Sequence, residues 1–234
     1  MKDIEKAKSR ITEDLATLYL RLNGYFTTGF MLHSPEVGKI HTEIDCIGVR
    51  FPNSAERERG IGPDAFLNPS AAHIDLVLCE VKRGKEPLQF NKAVRKEVER
   101  FERVLRWAGL FTDAQIEQLA PEVMRVLTPQ AVASVTIPEV IFEDRVRIRG
   151  LVFAPDRDVA ARKPTQPFFV GGDKIFDYAW RCLCPRAPRL SCATVYDYTS
   201  WGYLEPIVRY FKEHGGESAG TVDDLFKVLL GDTK

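Results

Sequence analysis

Apolar residues recur at helical spacing from Lys2 to Leu22, at Ile4, Ala7, Ile11, Leu15, Leu18 and Leu22, and Asn23-Gly24 supplies the stop. A second set, Ala16, Tyr19 and Leu20, widens the apolar surface, so this helix is expected between a sheet and a further layer. It carries two acids: Glu13 falls on the Ala16/Tyr19/Leu20 side and Asp14 nearer the edge of the main stripe. Tyr25 to Leu32 and Lys39 to Phe51 read as strands, joined through the turn-forming His33-Ser34-Pro35 and Gly38. In the second, alternation sets His41, Glu43 and Asp45 on the face that continues as Ile47, Val49 and Phe51. A strand that begins in solvent and then enters the core accounts for Glu43 better than for Asp45.

Pro52 to Ala72 breaks the periodicity with Asn53, Gly60, Gly62, Pro63, Asn68 and Pro69, carries Arg57 and Arg59, and reads as a long loop of the kind that is often functional. His73 to Lys82 is the third strand. A helix is expected from Gln89 to Ala108, with Phe90, Val94, Val98, Phe101, Leu105 and Ala108 on one side. Its row of Lys92, Arg95, Arg103 and Arg106 could contact phosphates, but the interleaved Glu97, Glu99 and Glu102 fit a solvated face better. Thr112 and Gln115 form a capping-box pattern for a helix towards Leu127, interrupted at Pro121. Val132 to Phe142 reads as extended and broken by Pro138. Arg145 to Ala154 is a fourth strand and Pro167 to Val170 a short fifth. Helices follow over Asp173–Cys184, Val195–His214 with a kink near Pro206, and Val222–Leu230. The succession indicates a mixed α/β domain with a small central sheet.

With 234 residues, 44% hydrophobic content and a formal net charge of +0, the chain suits one domain, or a domain with an appendage. Neutrality means that any site for a polyanion must be a local patch. The charged start MKDIEKAKSR is not that of a signal peptide, and no apolar run reaches the length of a membrane span, so a soluble, cytoplasmic protein without membrane contact is expected. Five cysteines without framework spacing fit reduced thiols, with Cys46 and Cys79 as small core residues.

The chemistry gathers at the end of the third strand. Ile74 to Lys85 is a branched apolar run that ends in Glu80, Val81 and Lys82, so an acid and a base two apart share one face. Such a pair is ordinarily an ion pair at a sheet margin and nearly neutral in energy. If the second and third strands are neighbours, Asp45 converges on Glu80 and Lys82. Two adjacent carboxylates repel, and Mg²⁺ favours one or two carboxylates completed by waters and a substrate phosphate. Such an ion polarises a phosphorus–oxygen bond, and a lysine beside it can orient or help deprotonate the attacking water. Asp75 falls on the opposite face from Glu80. Cys182, Cys184 and Cys192 with His214 have poor zinc spacing. Trp180, Trp201, Tyr196, Tyr198, Tyr203 and Tyr210 fit core or an oligomer contact better than a base-stacking platform. His41 is the one histidine placed near Asp45 in the chain.

HTEIDCIGVR followed by IDLVLCEVKRGK resembles the PD-(D/E)XK nuclease superfamily, in the Holliday-junction-resolvase-like branch of the restriction-endonuclease-like fold. The resemblance runs from the first helix through the helix ending near Ala108, with Arg145 to Ala154 as fourth strand. It implies a core of helix, three strands, helix and strand with a mixed central sheet and added C-terminal helices. Residues 1–190 would form the nuclease-like domain with the inserted loop 52–72, and residues 191–234 a helical extension packed on it. Asp45 matches the motif aspartate and Glu80 with Lys82 the Glu-x-Lys, while Glu13 keeps the family's distance ahead of a Gly-aromatic pair, here Gly24-Tyr25. Gln89 matches a polar residue near the next helix. Ile44 stands where many members have proline. The implied function is a Mg²⁺-dependent endonuclease of defence or repair, with Mn²⁺ able to substitute. Asp45 and Glu80 would be metal ligands and DNA the substrate, with RNA and a homodimer left open. The alternative is an inactive module of the same fold that binds nucleic acid or protein.

Overall fold

The computed structural model describes residues 2–33, 40–55, 60–127, 137–163, 166–184, 198–214 and 218–231, without the side chains of residues 2, 31–33, 40–43 and 93. The readings of Arg57, Arg59, Cys192 and Tyr196, and of the side chains of His41 and Glu43, fall outside what is described.

Helix α1 (Lys2–Leu22) leads through Gly24 into β1 (Phe26–His33), β2 (Ile40–Arg50) and β3 (Ile74–Val81). Gly24 takes φ +85°, a left-handed conformation that ends the helix without the penalty a Cβ would bring. β1 to β3 form an antiparallel meander. The chain then crosses over through α2 (Lys92–Lys96), α3 (Val98–Ala108) and α4 (Asp113–Val126). It returns as β4 (Glu139–Phe142) and β5 (Val146–Ala154), with β5 parallel to β3. A two-residue β6 (Val170–Gly171) extends β5, giving a mixed six-stranded sheet in the order β1-β2-β3-β5-β4 with β6 beside β5. Further helices among the described residues are α5 (Gly172–Leu183), α6 (Glu205–Arg209), which follows a 3-10 turn over Thr199–Leu204 and continues as a π-helical turn over Tyr210–His214, and α7 (Val222–Leu230).

The sheet carries a helical layer on each face. On one, Leu15, Tyr19 and Leu20 of α1 pack with Val77 and Cys79 of β3, Ile175 and Ala179 of α5, and Ile207, Phe211 and Leu225 near the C terminus. On the other, Leu76 and Leu78 meet Val94, Phe101, Leu105, Ile116 and Val123 of the crossover helices. β3 lies between them and is buried from Asp75 to Glu80. Leu204, Val208, Val222 and Phe226 thus share one core with α1, and burial of α1 from Leu15 to Leu20 follows from its two apolar stripes.

Three local expectations are corrected. The helix expected over Gln89–Ala108 is two helices, because Glu97 is extended (φ −117°, ψ 93°). The break resets the helical phase and leaves Val98 41% exposed instead of buried. Gln89 accordingly precedes the helix rather than opening it. Pro121 does not interrupt α4, since it sits on an exposed turn where one lost backbone bond is tolerated, while the Thr112–Gln115 capping box secures the start. In the C-terminal part the break falls at Gly202 (φ +56°), and Pro206 stands at the start of α6, where its missing N–H costs nothing.

The loop between β2 and β3 is held at the Ile74 end of β3. Arg50, buried in the sheet margin, donates from Nε to the Asn23 carbonyl (3.1 Å), from Nη1 to Ser70 (2.8 Å) and from Nη2 to Ser54 (2.6 Å). Asp64 accepts from the Tyr19 hydroxyl at 2.7 Å. Glu80 lies five residue steps beyond Asp75, about 17 Å along the strand. The described part of the loop is therefore a structural strap at the far end of β3 from the acid-x-lysine pair.

Candidate active site

The β2–β3 ladder runs from Arg50↔Asp75 to Cys46↔Cys79 and stops there. Beyond it the strands fork, and the fork originates in β2. Against β1, Thr28 pairs with Ile47 and Phe30 with Ile44, so two steps on β1 face three on β2, an irregularity that contains Asp45 and Cys46. Ile44 and Ile47 consequently lie in the same apolar cluster although they are three apart, and Cys46 in the opposite one. The simple alternation that would set Asp45 beside Ile47 and Val49 does not hold. Instead the carboxylate crosses to the neighbouring strand, where Oδ2 accepts from the Val81 backbone N–H at 2.7 Å. A side chain stands where the next backbone acceptor of the ladder would be.

Asp45, Glu80 and Lys82 are thereby brought together. Glu80, 1% exposed, points from the end of β3 toward the crossover-helix face. Its Oε1 receives Lys82 Nζ at 2.5 Å. Its buried Oε2 has no hydrogen-bond partner of good geometry among the described residues. Burial, followed by the charge of Asp45, pushes the Glu80 carboxyl up to about 7, against the opposing pull of Lys82 and of the Asn91 backbone N–H. Lys82 keeps 14% of its side chain exposed and is fixed at its backbone, where its N–H donates to the Phe153 carbonyl of β5 at 2.8 Å. Past it the chain turns at Gly84 (φ +53°). Asp156 accepts from the Gly84 N–H, and Arg157 donates to the Gly84 carbonyl and, at 2.7 Å, to that of Glu86. Arg83 reaches back to α1, donating to the Glu5 carbonyl (3.2 Å) and carboxylate (3.4 Å).

The structure places Glu13 on α1 between two anchors. Thr17, one turn on, contacts Cys46, and Glu5, two turns back, holds Arg83. Glu13 lies about 6 Å along the helix axis from the first and about 12 Å from the second, at the level of the fork. Its Oε1 accepts from Ser9 Oγ at 3.2 Å. The neighbouring Asp14, 3.9 Å from Arg10, is half-buried, and burial pushes its carboxyl up to about 6 while Arg10 opposes. Gln89 is half-buried in the segment leading to α2, its backbone N–H donating to the Pro87 carbonyl at 2.8 Å. That same segment presents the Asn91 N–H to Glu80, a backbone contribution without a signal in side-chain identity.

Asp75 is on the other face and engaged elsewhere. Arg147 and Arg149 each donate to its Oδ2 at 2.7 Å, and Tyr25 Oη (2.7 Å) and the Ser70 N–H (3.1 Å) complete the cluster. Cys182 and Cys184 are buried, and no group of three or more His, Cys, Asp and Glu among the described residues is arranged to hold a metal. An open cavity of about 440 Å³, lined by Asn23, Phe26, Arg50 and Ile61, lies at the strap end of the sheet rather than at the fork. No described helix is long and apolar enough to cross a membrane.

Comparisons with protein families, with characterised proteins and with solved structures return no match to the chain.

Proposed function

We propose that the protein is a metal-dependent phosphodiesterase acting on DNA, with its active site at the β2–β3 fork. One observation carries the reading: a buried carboxylate, Glu80, is held beside a second one and a lysine, with one oxygen that has no hydrogen-bond partner of good geometry among the described residues. Burying such a group without full compensation is costly, so it is ordinarily kept for chemistry. The succession of helix, three strands, helices and a strand beside β3 agrees with what the resemblance to the PD-(D/E)XK nucleases implies.

The residues at the fork suit a hard divalent cation. Glu80 Oε2 and the Asp45 carboxylate would hold Mg²⁺, or Mn²⁺ in its place, with water and phosphate oxygens completing the shell. When bound, the ion supplies charge stabilisation to the phosphoryl group under attack. The chain's own residues do the rest. Lys82, anchored at its N–H by Phe153 and at Nζ by Glu80, positions and helps deprotonate the attacking water. Glu13, at the level of the fork on α1, would serve as a further acid that orders the water or the ion, and Gln89 would act from the segment whose Asn91 N–H reaches Glu80. Burial of the fork strengthens every one of these charges relative to water.

The test is cleavage of plasmid and linear DNA with Mg²⁺ or Mn²⁺. Cleavage is expected with either ion, to stop on chelation, and to be lost in Asp45→Ala. Cleavage that persists in the chelator, or in Asp45→Ala at the wild-type rate, would refute the assignment. Salt-sensitive DNA binding without cleavage on any substrate would instead identify an inactive binding module.

A further inference from the structure

We propose that Cys46 and Cys79 are an oxidative modification site, a thiol pair whose disulfide disables the fork. The functional consequence rests on the nuclease reading, whereas the chemistry does not. The two residues are directly opposed in the antiparallel β2–β3 register and point into the same apolar cluster. Opposed residues of an antiparallel pair have Cα atoms about 4.5–5.5 Å apart, inside the about 4.4–6.8 Å range that a disulfide spans. The thiols interact with each other, and both are free. Each is the chain neighbour of a fork residue, Cys46 following Asp45 and Cys79 preceding Glu80.

Their rung is also the last of the ladder, so the pair sits where opening of the two strands begins. Both thiols are buried, at 2% and 0% exposure. Opening from the fork end reaches them without disturbing the Asp75 cluster at the opposite end, the kind of local fluctuation that admits small reagents. Hydrogen peroxide is the oxidant. The sulfur of one cysteine attacks a peroxide oxygen, the O–O bond breaks, and a sulfenic acid and one water result. The sulfur of the second cysteine then displaces the hydroxyl of the sulfenic acid, forming the S–S bond and releasing a second water. Two thiols lose two hydrogens and one peroxide becomes two waters. The bond draws the sulfurs to about 2.05 Å, closer than any non-bonded approach, at the rung that sets the spacing of Asp45 and Glu80. A displacement of about 1 Å in a catalytic constellation costs about 100-fold.

The experiment treats the full chain with hydrogen peroxide, blocks remaining thiols with an alkylating agent during unfolding, and maps peptides without reduction. A Cys46–Cys79 linked peptide is expected, released by dithiothreitol. DNA cleavage should fall about tenfold or more on oxidation and recover on reduction, while Cys79→Ala keeps its cleavage through the same treatment. Recovery of both peptides fully alkylated after peroxide would overturn the proposal, as would a linked peptide in protein that cleaves at its untreated rate. A linked peptide in protein that never cleaved DNA would uphold the modification site and refute the nuclease reading, so the two failures are told apart.

Discussion

Replacing Glu80 by Gln is expected to abolish metal-dependent cleavage and, in the same protein, to raise metal-free stability above pH 7. The loss of activity should be roughly 10²–10⁴-fold, the range for deleting one group that acts on the transition state. The gain in stability follows from the direction of its proton affinity. Below its ordinary value of 4.5 the carboxyl is protonated in both folded and unfolded chains and the fork carries no penalty. Between 4.5 and about 7 the unfolded chain ionises first, so stability is lost as pH rises, and above about 7 the whole penalty persists. A separation of that size corresponds to on the order of 3 kcal/mol. Glutamine matches the volume and carries no charge. Lys82 loses its partner but retains access to water, so a net gain of roughly 1–3 kcal/mol is expected in chelator by urea unfolding at pH 8. Added Mg²⁺ should stabilise the wild type and leave Glu80→Gln unmoved. If Glu80 and Lys82 were merely a structural pair, the substitution would destabilise by about 3–5 kcal/mol, and that result would sink the active-site reading.

The opposite end of β3 should respond in the other direction. Asp75→Ala is expected to destabilise the protein by about 3–5 kcal/mol, the cost of leaving buried cations without their counter-charge. Arg149 is 1% exposed and Arg147 8%, and both converge on this one carboxylate. Burial would raise the Asp75 carboxyl, but Arg149, Arg147 and the Tyr25 hydroxyl outweigh it and hold it below its ordinary 3.8. Its contribution is therefore fully present above pH 3.8 and is lost as the pH falls toward the depressed folded value. The same arginines donate to the carbonyls of Asn68 and Leu67, so the strap should loosen with the cluster. A midpoint shift in urea worth less than about 1 kcal/mol would show that the arginines find other partners.

Hydrophobic period made the scaffold legible because helix and strand periods are local properties. α1 and α7 begin and end where their apolar repeats do, and β3 fills the apolar run between His73 and Lys82. The position of Asp45 was legible as a partner for Glu80 but not in its manner. An irregularity in β2 leaves no trace in its alternation, since only the pairing with β1 reveals the extra residue. The buried arginines were hidden for a related reason. Val146-Arg147-Ile148-Arg149 has the pattern of a half-exposed strand, and only the register Asp75↔Arg147 and Val77↔Arg149 turns it into a buried cation pair. A signal did exist. An acid near the start of a strand buried on both faces requires a cation on an adjacent strand, and Asp75 was left without one once its face excluded it from the fork. The break at Glu97 was illegible because helix propensity favours glutamate there, and tertiary packing prevailed.

β3 thus belongs to two cooperative units. Its Asp75 end is tied by guanidinium forks into the strap and β5, so the amides from Leu76 to Leu78 are expected to exchange their hydrogens with solvent only when the whole sheet opens. The Val81 amide has no strand partner on the β2 side and leans on the Asp45 carboxylate alone. Whatever else that carboxylate binds changes how tightly the amide is held, which makes the exchange rate of one backbone proton a readout of occupancy at the fork.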